Sequence, residues 1–156
     1  MRRIVLYGVG LILASLVGLS YTATGRATSH GPVSHSCSVT DRAFIDTAKT
    51  NMAAITLWGQ EYMNGDTGPA DVAAQADRAA KIVGAAATTD PSLTQTRRLL
   101  VAMFVEYEKA MQRQAKHRDA SSHIYRSYAL ANLAHDVLVE AEAPLAKRGC
   151  DVAPLL

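Results

Sequence analysis

From about residue 40 onward, apolar residues recur at spacings of three and four, and no stretch alternates with period two over the length of a strand. A chain patterned this way buries its stripes as amphipathic helices packed on one another. Capping and breaking residues divide the pattern into four. Ser38, with Asp41 three residues on, opens the first helix. Its apolar face is Phe44, Ala48, Met52, Ile55, Trp58 and Tyr62, and Asn64-Gly65-Asp66 ends it. Thr67-Gly68-Pro69 introduces the second, whose stripe of Val72, Ala76, Ala79, Val83 and Ala86 is nearly all small. Such a helix approaches its neighbours closely but contributes little hydrophobic volume.

Asp90-Pro91 is a start signal of another kind, a capping carboxylate followed by proline at the first helical position. The third stripe runs Leu93, Thr96, Leu100, Met103, Phe104, Tyr107, Ala110 and Met111, ending near Lys116. Asp119 to Ser122 cap the fourth helix. Its arc holds Ile124, Leu130, Ala131, Ala134, Val137, Leu138, Ala141 and Leu145. Lys147-Arg148-Gly149 closes it, with cations near the negative end of the dipole and then a glycine. Pro144 predicts an irregular last turn. Short connections make consecutive helices antiparallel neighbours. The expected fold is all-α: an antiparallel up-down-up-down four-helix bundle behind an N-terminal segment of different character.

That segment is Met1-Arg2-Arg3 followed by an uncharged run from Ile4 to Tyr21. A short positive end and an apolar stretch direct export, with the rest of the chain crossing the membrane. Residues 1–25 therefore read as a signal peptide or an N-terminal membrane anchor. Residues 26–36 form a Gly- and Pro-punctuated linker containing His30 and His35, and 37–156 an extracytoplasmic helical domain. Cys37 lies too far beyond the apolar run to be a lipidation site. Abundant alanine, and arginine in excess of lysine, suggest a GC-rich bacterial genome.

The two cysteines test the fold. Cys37 precedes the first helix and Cys150 follows the fourth, which an up-down-up-down bundle brings to one end. In an oxidising compartment they pair as a disulfide. They form no CxxC, so thiol-exchange catalysis is not expected.

Several polar residues fall on apolar faces. Asn51 interrupts the first stripe, and His135 lies at the edge of the fourth with Tyr128 two turns earlier. At a rise of about 1.5 Å per residue from the cysteine end, Asn51 and His135 reach one height, with Met52 and Met103 in the same layer. Three readings follow: a buried amide–imidazole hydrogen bond, a small-ligand pocket, or haem held by His135 with Met52, Met103 or Tyr128. No CxxCH motif supports the haem. Metal ligands of recognised spacing are also missing, so no cofactor is expected.

Nucleophile elbows, phosphate loops and HExxH are absent, and no catalytic residue is assigned. The formal net charge of +2 includes arginines in the N-terminal segment, and no clustered basic stripe marks a nucleic-acid surface. Leu57, Val105, Leu133 and Val139 project away from the stripes and are candidates for an interaction patch. The expected function is a non-enzymatic binding or adaptor module of a bacterial cell envelope. Its partner is an envelope protein or a second copy, with membrane contact through residues 1–25 if they are retained. The alternative is a small-ligand or haem carrier.

Overall fold

The computed structural model describes residues 36–156. The signal or anchor segment and all but the last residue of the linker lie outside the described residues. Four helices follow in order: α1 (Val39–Asn64), α2 (Pro69–Ala85), α3 (Pro91–Ala115) and α4 (Ser121–Lys147), then a 3-10 turn at Ala153–Leu155. Among the described residues there is no strand, and no helix is long and apolar enough to cross a membrane.

Most helix ends are set by local chemistry. Ser38 Oγ accepts the Asp41 amide at 2.9 Å, satisfying one of the free donors of α1. Gly65 ends the helix at φ 85°, a left-handed conformation that glycine adopts without steric cost. Asp90 Oδ1 accepts the amides of Ser92 at 2.8 Å and Leu93 at 3.2 Å, with Pro91 at the first position of α3. The start of α4 departs from expectation. Its N-cap is Ala120, which has no side-chain acceptor, and Asp119 instead turns its carboxylate onto the Ser121 amide and hydroxyl. Pro144 lies within α4, which stays helical to Lys147.

Side-chain size sets the spacing of the helices. The small stripe of α2 lets that helix pack closely along α3, and α3 packs as closely on α4. A β-carbon on Gly84 would lie 3.5 Å from the Val101 side chain. Helix α1 contributes bulkier groups, Phe44, Ile45 and Ile55, and touches α2 less extensively. Its backbone makes no extended close approach to α4. At the end of the chain, residues after Cys150 fill part of that gap. The turn Ala153–Leu155 contacts both α1 and α4, and Val152 is 1% exposed.

Phe44, Leu93, Phe104, Leu138 and Leu145 are fully buried in one continuous core that includes side chains from all four helices. Each such burial contributes about 1.5–3 kcal/mol before the entropy of ordering is subtracted. A smaller cluster consists of Val72, Ala73, Ala110, Met111 and Ala120, with Trp58 and Tyr62 packed against it.

Candidate functional site

Cys37 and Cys150 are joined as a disulfide, with Cα atoms 5.0 Å apart. They sit in a polar network that ties three parts of the chain together. The Cys37 amide donates to the Arg148 carbonyl, and Arg42 Nη2 donates to the Cys37 carbonyl at 3.0 Å. Asp41 does more than its place in the first turn suggests. Its Oδ1 accepts the amides of Thr89 at 2.7 Å and Asp90 at 3.2 Å, and its Oδ2 accepts the Thr89 hydroxyl. Burial alone would raise the Asp41 pKa, but the bonds from Thr89, Ser38 and Asp90 together hold it below the usual carboxylate value. Asp90 then passes the connection to the end of α4 through a salt bridge to Arg148 Nη2. A cleft of about 280 Å³ borders this network, lined by Ser36, Cys37, Ser38, Asp41, Thr89, Arg148 and Cys150. Of its two charged side chains, Asp41 is held by the Thr89 and Asp90 donors and Arg148 by the Asp90 carboxylate.

A second polar cluster joins α3 to α4. Glu106 Oε1 accepts Lys109 Nζ at 2.7 Å, and Oε2 lies 2.8 Å from His123 Nδ1. Hydrogen bonds from Lys109 and His123 hold the Glu106 carboxyl below its usual value, against the opposing effect of burial. Sequence spacing alone does not single out Glu106. The i,i+3 spacing of Glu106 and Lys109 was visible, but the contact with His123 depends on the α3–α4 register. Nearby, Tyr62 Oη donates to Gln114 Oε1 at 3.2 Å, and burial, with Tyr62 close by, raises the Tyr107 pKa.

The residues placed in one layer are not joined as the sequence suggested. Asn51 is buried, and its Nδ2 donates to the Thr47 carbonyl one turn back at 2.8 Å, within its own helix. His135 Nδ1 is buried without a hydrogen-bond partner. No amide–imidazole bond links the two helices. Met103 is buried and Met52 partly so, both in the main core, while Tyr128 is 46% exposed. Thr96, fully buried on α3, likewise leaves its hydroxyl unpartnered. Among the described residues, no three His, Cys, Asp or Glu side chains converge to hold a metal.

The candidates for an interaction patch separate. Leu57, Leu133 and Val139 are each about half exposed, whereas Val105 is partly buried against the main core. Leu133 and Val139 stand six residues apart on α4, which places them about 120° apart around the helix. They therefore do not share one face. Tyr125 is the most exposed aromatic residue on α4.

No family model matches the chain. Searches of curated proteins and of solved structures likewise give no match.

Proposed function

We propose that the chain is a non-enzymatic, extracytoplasmic helical binding or adaptor module of a bacterial cell envelope. Its four helices run up, down, up and down, and its partner is an envelope protein or another copy of itself. The disulfide suits an oxidising compartment, and the positive and then apolar segment at residues 1–21 supplies a route to one. If residues 1–25 are retained, they hold the domain at the outer face of the cytoplasmic membrane. The up-down course is supported by contacts at both ends. The starts of α1 and α3 meet the end of α4 around Asp41 and Asp90, and the ends of α1 and α3 meet around Tyr62 and Gln114.

The observation that carries the binding role is the outer surface of α4. Tyr125 and Leu133, about 80° apart around the helix, remain exposed there, away from the face that buries Ala134, Leu138 and Leu145. The polar clusters, by contrast, support structure: Asp41, Asp90, Arg148 and Glu106 are all committed to joining helices.

One observation favours a carrier as the second reading. The buried, unpartnered Nδ1 of His135 is a nitrogen that a small polar ligand, or a haem iron, would satisfy. Native mass spectrometry of the protein recovered from its own host envelope separates the two. The adaptor reading expects the mass of the bare chain or of a protein complex. A small-molecule increment that disappears in His135→Ala would replace it with the carrier.

A further inference from the structure

We propose that the outer face of α4 pairs with the same face of a second copy of this chain, the two helices running antiparallel about a two-fold axis near residue 131. The inference builds on the binding-module reading and names its partner. Ser122, Arg126, Ala129, Leu133, Asp136 and Glu140 follow one another at spacings of four, three, four, three and four, and all six are exposed. That spacing makes a narrow stripe along α4, the geometry by which one helix seats against another. The stripe spans nineteen residues, about 27 Å of helix from first to last.

Its charges decide the orientation and the occupant. No carboxylate, lysine or arginine lies between Arg126 and Asp136. On one side of this neutral centre the stripe carries Arg126, and the end of α3 and the connection after it add Arg113, Lys116 and Arg118 against a single Asp119. On the other side come Asp136, Glu140 and Glu142, with no cation before Lys147. A surface positive at one end, apolar in the middle and negative at the other is complementary to itself when turned through half a revolution. Parallel pairing would set like charges together, a disfavoured juxtaposition.

The layers follow from the register. Two-fold rotation about residue 131 sets Ala129 against the other copy's Leu133, Arg126 against its Asp136, and Ser122 against its Glu140. Each layer occurs twice, as an isologous interface requires. Arg126 is free to take part. Its side chain is 67% exposed, and its nearest carboxylate, Glu106, is at a loose 3.9 Å. Tyr125, 74% exposed, flanks the stripe and gains cover in the pair.

The test is sedimentation equilibrium on the purified full chain over a wide concentration range, with Arg126→Asp, Asp136→Arg and the double exchange. Both positions are exposed, so the variants should fold, and circular dichroism confirms it. The expected result is a wild-type dimer, weakened about tenfold or more by either single change and restored when both charges are exchanged. The restoration separates this register from association through the N-terminal apolar segment, which neither substitution touches. A wild-type monomer at every concentration overturns the pairing, as does a dimer indifferent to the single changes or a double variant that stays monomeric. The two readings fail separately. A monomer that host-envelope mass spectrometry finds bound to a different protein removes the pairing and keeps the module. A ligand lost with His135→Ala removes the module whatever the oligomeric state.

Discussion

Asp41 is 4% exposed and accepts three hydrogen bonds from residues forty-eight and forty-nine positions away. Its place three residues after Ser38 reads in sequence as half of a capping box. The Ser38 half forms, but the carboxylate turns away to the loop before α3. No spacing rule announces this, because Thr89 and Asp90 become neighbours of Asp41 only once the helices pack. Asn51 misleads for the related reason that an amide on an apolar stripe can satisfy itself on its own helix backbone. In Asp41→Asn a neutral amide replaces a charged acceptor, and its NH2 group faces donors. Loss of charge-assisted bonds of this kind costs about 2–3 kcal/mol, readable as a lowered urea midpoint at pH 7. The pH dependence has a definite sign. The folded pKa lies below the unfolded one, so the contribution is complete above the unfolded value of about 3.9 and is lost as pH falls through the folded pKa. The gap between wild type and Asp41→Asn should therefore close on acidification. A gap that stays constant from pH 7 to pH 3 would show that the carboxylate's charge is not what binds the loop.

Period and caps placed all four helices because those signals are local, and the buried faces of α2 and α3 follow the expected stripes closely. The pattern gave no sign of the residues after Cys150. A three-residue turn is too short to show a period, yet Val152 is buried and the turn packs between α1 and α4. Nor could it give the spacing between helices, which depends on how large and small side chains oppose one another. Helix α2 shows the consequence. Ala76 and Ala79 are fully buried, and the helix lies close along α3 because those positions carry only a methyl group. Ala79→Leu adds three carbons where none fit. Overpacking of this kind costs about 1–3 kcal/mol and pushes α2 away from α3. Thermal unfolding followed by circular dichroism measures it, with Ala74→Leu on the exposed side of the same helix as control. Equal melting temperatures for the two variants would mean that the α2–α3 contact is looser than the small stripe implies.

Across the whole molecule, the disulfide closes a loop with a sequence separation of 113 between the entrance to α1 and the exit from α4. Those two helices make little direct backbone contact, so α1 is held by α2 on one side and by the Cys37–Cys150 end on the other. The chain-entropy model gives about 4–5 kcal/mol for a loop of this size, and measured values commonly fall lower. That is a large share of the roughly 5–15 kcal/mol that stabilises an ordinary domain. The core is nevertheless continuous across all four helices, and the Asp41, Asp90 and Arg148 network remains when the sulfurs are separated. The Cys37→Ala/Cys150→Ala variant is therefore expected to stay helical at room temperature while losing about 2–5 kcal/mol. Hydrogen exchange should locate the loss in the first turns of α1 and in the residues after Cys150, because these segments depend most on the closure. Uniform loss of protection would instead make the disulfide a constraint on the unfolded chain alone. Unchanged stability would mean that the polar network already closes that end. On the envelope reading, the difference between the bonded and unbonded forms also sets where the domain is robust: in a reducing cytoplasm it carries only the stability of its core and network, and after export it gains the closure.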